Sequence, residues 1–192
     1  MKAMISACPW FLACVLSLFT VACGPSWVVV AKAVPNPFVN QRNFAVEPVH
    51  FEGVQIGEKS EAEYQASKDA EQQASWDEDK RAFAGEFGRE LSDELPEVQF
   101  VSAPAPSPFV VRPMVTFVEP GFYAYVAARA AEVRMTVEIW GVGNQRLDVL
   151  QFRAVVPATM TNPSSGGRLR SAGEQLGAQV AEYLRTRVFP DQ

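Results

Sequence analysis

Cysteine and histidine are scarce in this sequence, and most of the chain has neither. The 192 residues include three cysteines, Cys8, Cys14 and Cys23, and one histidine, His50. The part after residue 23 therefore forms no disulfide, and one histidine without cysteine does not provide the usual ligands of a zinc site. A domain of about 170 residues buries enough surface to fold without disulfides. We predict no metal site and no cofactor.

Clusters of basic residues are also missing. Lys and Arg number 17 against 22 Asp and Glu, which gives a formal net charge of −5. This describes a mildly acidic surface without a basic block. Nucleic-acid binding is therefore not expected, because it needs a concentration of positive charge on one face.

Catalytic motifs are equally scarce. The sequence has no Gly-x-Ser-x-Gly motif of the kind that carries a serine nucleophile. Residues 141–144 (Gly-Val-Gly-Asn) lie between two predicted antiparallel strands, so they predict a turn and not a nucleotide loop. We interpret His50, close to Pro48, as a strand or surface residue, and we expect no enzyme. A pair of catalytic carboxylates stays open, because 22 acidic residues always allow one.

The one long apolar run stands at the start of the sequence. Lys2 precedes an apolar stretch that ends in Thr20-Val21-Ala22-Cys23-Gly24. A short basic start, an apolar core and a small-residue exit are typical of a secretory signal. The residues around Cys23 resemble the lipobox of bacterial lipoproteins, with Thr20 where that family prefers Leu. The resemblance implies that residues 1–22 are a signal peptide and that Cys23 is lipidated as the mature N-terminus.

Two other interpretations of this first segment stay open. Met4 to Ala22 comes close to the roughly 20 apolar residues that span a membrane, so a retained anchor is one of them. Cleavage around Ala22 by an ordinary signal peptidase is the other. We favour lipidation because the small residues and the cysteine lie at the exit point. Gly24 stands where enteric lipoproteins carry an inner-membrane retention Asp, which points to the outer membrane, with the protein facing the periplasm.

Residues 23–43 are predicted to be a lipidated tether. Pro35 and Pro37 argue against a helix there, and a short strand is expected at Trp27 to Ala31. A single periplasmic α/β domain is predicted over residues 44–192.

Two helices are predicted from apolar residues at helical spacing. The first lies near Glu58 to Leu95 and ends before Pro96. The second begins near Ser171, with Glu174 as its capping-box partner. The buried stripes are predicted to be Trp76, Phe83, Phe87, Leu91 and Leu95 in the first helix, and Ala172, Leu176, Val180, Tyr183, Leu184 and Val188 in the second.

Five strands are predicted between turn signals. They are Phe44 to Phe51, Val98 to Val101, Phe109 to Val118, Glu132 to Trp140 and Arg146 to Val155. Strict alternation in Glu132 to Trp140 indicates one buried and one wet face. A change of parity between Val149 and Leu150 predicts a bulge. The expected fold class is α+β: a two-layer sandwich in which two helices cover one face of a mostly antiparallel sheet of four to five strands.

The C-terminal pattern carries a second resemblance. The run 110–121, which ends in Glu119-Pro120-Gly121, precedes the alternating strand, its return strand and the closing helix. This order is similar to that of small bacterial outer-membrane lipoproteins of unknown function, whose domain resembles the periplasmic domain of curli-secretion and of penicillin-binding-protein activator lipoproteins. The resemblance implies docking onto a membrane machine, activation of an envelope enzyme, or assembly with further copies of the chain.

Three functions compete at this point. The first is a noncatalytic protein, anchored in the membrane by the lipid on Cys23, that binds an envelope protein partner. The second is an auxiliary that handles lipid or glycolipid in envelope transport and needs a wide apolar cleft. The third is an envelope hydrolase, which needs paired carboxylates or His50 beside a nucleophile. Phe122, Tyr123 and Tyr125 are candidate partner-binding residues, because exposed aromatics anchor interfaces; packing against a helix is their alternative role.

Overall fold

A mixed β-sheet and the helices packed against it make up the fold. The computed structural model describes residues 27–124 and 126–191. Within these residues the elements are, in chain order, β1 (Trp27–Ala31), β2 (Asn43–Val46), β3 (Gln55–Ile56), β4 (Lys59–Ser60), α1 (Glu61–Ala66), α2 (Ala70–Glu94), β5 (Gln99–Ser102), β6 (Val110–Glu119), β7 (Phe122–Ala124), β8 (Ala127–Arg129), β9 (Ala131–Gly141), β10 (Gln145–Val156) and α3 (Ser165–Val188).

The main sheet has the strand order β1-β10-β9-β6-β2-β5, with β3 and β4 attached next to β6. The pairs β1–β10, β10–β9 and β9–β6 are antiparallel. Strand β2 runs parallel to both β5 and β6, and β7 and β8 form a separate hairpin. The predicted α+β class is confirmed, although the sheet has more strands than expected.

Helices α2 and α3 cover one face of the sheet. The predicted apolar stripes of both helices are buried, and they share one core with alternate residues of β9 such as Val133 and Val137. Helix α3 starts at Ser165 and not near Ser171, because the Ser164 hydroxyl caps it by accepting the Gly167 amide at 3.0 Å. Among the described residues, no helix combines the length and apolar character needed to cross a bilayer.

The predicted bulge in β10 lies slightly earlier than expected. The pairing with β9 shifts register between Arg146 and Asp148, not between Val149 and Leu150. The extra residue, Leu147, turns the side chain of Asp148 into the protein, where it is fully buried. The apolar residues of β10 therefore change from odd to even positions because the bulge turns residue 148, a carboxylate, toward the core.

Residues 27–43 do not form a tether. Strand β1 pairs with β10 at the edge of the sheet, and Phe38 is fully buried in the core. The Ala33 amide donates a 2.7 Å hydrogen bond to Asp148, and Asn36 donates one of 2.7 Å to the Arg187 carbonyl. The folded body therefore includes the chain from Trp27 onward, and the prediction that it begins at residue 44 is wrong.

Glycines let α2 and α3 approach closely, and this gives a first testable prediction. A Cβ at Gly173 would lie 2.5 Å from the backbone oxygen of Phe83. Because that contact cannot relax by rotating a side chain, we expect Gly173→Ala to lower the free energy of unfolding by about 1–3 kcal/mol. Urea denaturation followed by circular dichroism measures the change.

Gly85 provides the matched control on α2, since a Cβ there meets nothing within 4 Å. Gly85→Ala should raise stability by roughly 0.5–1 kcal/mol, the ordinary gain of alanine over glycine in a helix. Equal effects of the two substitutions would contradict the close approach of the helices.

Candidate functional site

An open groove runs between α2 and the edge strand β5. Its volume is about 960 Å³. The floor is largely apolar and includes Phe51, Phe87, Leu91 and Phe100. The size and lining are within the range of ligand-binding clefts, which are mostly apolar with a few polar groups at the edge.

Small side chains on α2 create the space. Ala84, Gly88 and Ser92 all line the groove, and their spacing of four places them on one helix face. A Cβ at Gly88 would meet nothing within 4 Å. Each of the three follows directly after a buried residue of the stripe Phe83, Phe87 and Leu91. The repeat of a small residue at every fourth position indicates a groove along this helix face. The sequence analysis considered only the apolar stripe and missed this repeat.

Within the part of the chain that the structure describes, the open side of the groove is a free strand edge. Strand β5 is the last in the sheet order. The Gln99 amide donates to Arg42 at 2.7 Å and the Ala103 amide to Val46 at 2.9 Å, both on the β2 side. Backbone groups alternate in direction along a strand. The backbone amides of Phe100 and Ser102 therefore point to the open edge. Such an edge is a template for another strand.

Charged side chains border one end of the groove. Lys80 Nζ lies 2.6 Å from Glu61 and 3.0 Å from Asp77. Glu61 also accepts a 2.9 Å hydrogen bond from the indole of Trp76. The same Nζ lies over the ring of Phe51, 5.9 Å from its centroid.

His50 lies between the lining residues Val49 and Phe51 in the sequence, beside two carboxylates. Its Nε2 is 3.1 Å from Glu47 and its Nδ1 is 3.3 Å from Glu52. Arg112 donates to both oxygens of Glu47, at 2.7 and 3.0 Å, and this hydrogen bonding lowers the pKa of Glu47. The geometry is that of an ion-pair network at the rim. Within residues 27–124 and 126–191, no group of three His, Cys, Asp or Glu side chains is placed to hold a metal ion.

The rim is acidic as a whole. Four carboxylates, Glu47, Glu52, Glu61 and Asp77, line the groove together with two cations, Lys80 and Arg81. Glu52 and Asp77 are largely exposed. The groove therefore favours an occupant that is apolar along its length and carries positive charge.

The predicted partner-binding aromatics lie elsewhere. Phe122 is 51% exposed on the β7–β8 hairpin, and Tyr123 is half-buried on the same hairpin opposite Ala128. Neither lines the groove. Tyr125 and Cys23 lie outside the described residues, so the structure bears on neither of these two predictions.

The face of the sheet opposite the helices carries ordered ion pairs. Glu132 accepts hydrogen bonds from Arg153 and Arg134, each at 2.7 Å. Arg153 above all, with Arg134, lowers the pKa of Glu132 to about 2. Arg134 also lies over the ring of Phe117, 4.7 Å from its centroid. The wet face predicted from the alternation in β9 is therefore stabilised by its own charges.

Known proteins of similar shape have little sequence in common with this chain. No family model matches the sequence, and no curated protein matches it significantly. A PelC dodecamer from Paraburkholderia phytofirmans has 11% identity and a TM-score of 0.45 over 81% of this chain and 97% of its own. A DUF330-family protein from Xanthomonas campestris has 15% identity and a TM-score of 0.48 over 83% and 92%.

A third solved structure, a candidate lipoprotein from Caulobacter crescentus, has 16% identity and a TM-score of 0.36 over 54% of this chain and 81% of its own. None of the three is a curli-secretion or penicillin-binding-protein activator lipoprotein, the classes that the sequence resemblance named.

Proposed function

We propose that this chain is a noncatalytic, lipid-anchored envelope protein whose groove between α2 and β5 binds an extended segment of a partner protein. The observation that carries the proposal is an apolar groove directly beside a free strand edge. An extended peptide that pairs with such an edge gains affinity from its backbone hydrogen bonds and specificity from alternate side chains in a neighbouring pocket.

The composition of the groove supports a peptide of defined character. Phe87, Leu91 and Phe100 offer apolar contact, while Gly88 leaves room for a large side chain. The acidic rim favours Lys or Arg in the partner segment, because complementary charge speeds and selects encounter. The proposed occupant is therefore an apolar, basic strand of an envelope protein.

The proposed anchor is the lipid on Cys23, in the outer membrane and facing the periplasm. Each buried CH₂ of an acyl chain contributes about 0.8 kcal/mol, so several chains give stable attachment. We expect Cys23→Ser to release the protein from membranes without unfolding it, since every described element lies from Trp27 onward. Membrane fractionation and circular dichroism measure the two parts of this expectation.

Crosslinking in cells tests the partner. Intact protein, purified in detergent after crosslinking, should carry one stoichiometric envelope protein identified by mass spectrometry. We expect Gly88→Trp, which fills the groove, to reduce that crosslink at least tenfold, a loss of roughly 1.4 kcal/mol or more. A partner retained in full by Gly88→Trp would contradict binding in the groove.

Gly85→Trp is the matched control for this experiment. It places the same side chain on the same helix, three residues away, at an exposed position outside the groove. It should leave the crosslink unchanged. If the only crosslinks join copies of this chain, the proposed envelope protein partner is wrong and the chain assembles with itself.

The apolar floor of the groove also favours a second function, handling of lipid or glycolipid. That function predicts that protein recovered without a partner carries bound lipid, which Gly88→Trp displaces and Gly85→Trp does not. Solvent extraction and mass spectrometry of the purified protein distinguish the two. Recovery of a protein partner with an unoccupied groove would exclude lipid handling at this site.

A further inference from the structure

The β7–β8 hairpin and the loop 157–163 lie at one end of the sheet, which we call the apolar end. The hairpin joins the last residue of β6, Glu119, to the first residue of β9, Ala131. The loop follows Val156, the last residue of β10, which pairs with Ala131. Both segments therefore extend from the same edge of the same three strands.

The N-terminal end of strand β1 also points toward this end of the sheet. Strand β1 is antiparallel to β10, with Trp27 opposite Phe152 and Val28 opposite Gln151. Trp27, the first residue of β1, therefore lies on the Val156 side of that strand pair, four strand residues or about 13 Å from Val156. Cys23 is four residues before Trp27, a covalent reach of at most about 14 Å. A lipid on Cys23 thus lies within reach of the apolar end.

The surface of this end is unusually apolar. Phe122 is 51% exposed, Val126 97% and Met160 73%. Residues 122–128 and 154–167 contain no charged side chain, although 20% of the whole sequence is charged. The hairpin carries one charged residue, Arg129, which stands opposite Phe122 and pairs with Glu119 at 3.0 Å. Single exposed apolar residues are common on proteins, but three on two adjacent segments form a patch that needs a partner.

A buried arginine joins the two segments. The guanidinium of Arg168 donates to the Pro120 carbonyl at 3.0 and 3.3 Å and to the carbonyls of Asn162 and Pro163 at 3.3 and 2.6 Å. Pro120 lies at the base of the hairpin and Pro163 at the end of the loop. The apolar side chains are therefore presented together on one support.

We propose that the apolar end rests in the interface of the membrane that anchors the protein, with Phe122, Val126 and Met160 among the lipid headgroups. This inference rests on the proposed lipidation of Cys23. The lipid limits how far the domain moves from the bilayer, and the apolar loops fix which end faces it. The groove between α2 and β5 then stays accessible beside the membrane. Lys68 and Glu119 line a small pocket near the hairpin base.

A fluorescent probe on the full-length lipoprotein tests this orientation. The lipid occupies the sulfur of Cys23, so Val126→Cys supplies the one free thiol of the mature chain. The protein is labelled with an environment-sensitive dye and reconstituted in phosphatidylethanolamine–phosphatidylglycerol vesicles. We expect the emission at position 126 to move to shorter wavelength and to be quenched by nitroxide-labelled lipid.

Val142→Cys is the matched control. Val142 is 82% exposed in the turn between β9 and β10, at the opposite end of the sheet. Its dye should keep a water-like emission and escape quenching. Phe122→Ser together with Met160→Ser should reduce the quenching at position 126 while the protein stays in the membrane fraction, because the lipid still holds it.

Equal quenching at positions 126 and 142, or a water-like emission at 126 in lipidated protein, overturns the proposal. Crosslinking of position 126 to a protein in place of lipid overturns it as well and assigns the hairpin to a protein partner. Failure of the anchor has a different signature. The N-terminal peptide then lacks acyl mass and the unmodified protein leaves the membrane, which overturns both the anchor and this inference.

Discussion

Asp148→Ala is expected to lower the free energy of unfolding by roughly 3–5 kcal/mol, because it leaves a buried arginine without its carboxylate. Asp148 is fully buried, and Arg187 is only 4% exposed. Arg187 Nε donates to Asp148 Oδ2 at 2.9 Å, and its Nη2 lies 3.3 Å from Oδ1. An isolated charge in such a position loses most of its interaction with water.

Two further donors make the loss larger. Tyr183 donates its hydroxyl hydrogen to Asp148 at 2.5 Å, and the Ala33 amide donates to the other carboxylate oxygen at 2.7 Å. Burial, together with the hydrogen bond to Asp148, raises the pKa of Tyr183, so this phenol stays protonated as a donor. Removal of the carboxylate therefore leaves two buried donors, on Arg187 and Tyr183, and the part-buried Ala33 amide with fewer acceptors. Each unsatisfied buried group costs about 1–3 kcal/mol.

The same substitution should loosen the N-terminal segment. Arg187 also donates to the Ala33 carbonyl at 3.0 Å, so Asp148 and Arg187 together hold both backbone groups of Ala33. Amide hydrogen exchange should become faster for residues 29–38 than for α2, because local opening follows the loss of local contacts. This pattern distinguishes loss of the clamp from general destabilisation.

Urea denaturation with an exposed control measures the main effect. Asp93→Ala removes a carboxylate that is 62% exposed and pairs with Arg89, and should change stability by no more than about 1 kcal/mol. The double variant Asp148→Leu with Arg187→Met should recover most of the loss, because it leaves no unpaired charge. If Asp148→Ala behaves like Asp93→Ala, the buried network does not stabilise the fold.

The sequence predicted those elements that carry a long periodic pattern. The apolar stripe of α2 repeats over several turns, and β9 alternates without interruption, so both were placed with the correct buried residues. Strands β2 and β5 have four residues each, which is too short for alternation to show direction. Their parallel pairing comes from the long connection through α2 and was not predictable from local pattern.

The errors have a common physical cause in tertiary contacts. The segment 27–43 contains two prolines, a pattern typical of a linker. It is nevertheless fixed in the fold, because Phe38 is buried in the core and Ala33 binds Asp148, which is 115 residues further along the chain. No local pattern reports a contact of that sequence separation. The groove was missed for a related reason, since an empty volume depends on which strand ends the sheet.

The candidate site was predictable only in part. An apolar cleft beside the helices was required by the lipid-handling hypothesis, but no residue had been assigned to it. The hairpin aromatics were identified from the turn at 119–121, and the exposure of Phe122 agrees with a surface role. The proposal that the hairpin meets the membrane uses its position relative to Trp27, and this position requires the register of β1 on β10.

Arg168→Leu is expected to lower the free energy of unfolding by about 2–4 kcal/mol and to separate the hairpin from the loop 157–163. Burial lowers the pKa of Arg168, so burial of the charged guanidinium by itself opposes folding. All four hydrogen bonds of Arg168 go to backbone carbonyls. Hydrogen bonds from a charged donor contribute roughly 1.5–3 kcal/mol each. Arg168→Leu removes these hydrogen bonds and leaves three backbone carbonyls without this donor, so we expect a net loss of stability.

Arg170→Leu is the control, because Arg170 is exposed on the same helix two residues later and its loss should change stability by about 0.5 kcal/mol or less. Arg168→Lys should fall between the two, since an ammonium keeps the charge but lacks the planar fork that reaches both segments. In vesicles, Arg168→Leu should also weaken lipid quenching at position 126, because the hairpin and the loop no longer present one surface. Unchanged stability with unchanged quenching would show that the two segments hold their positions without Arg168.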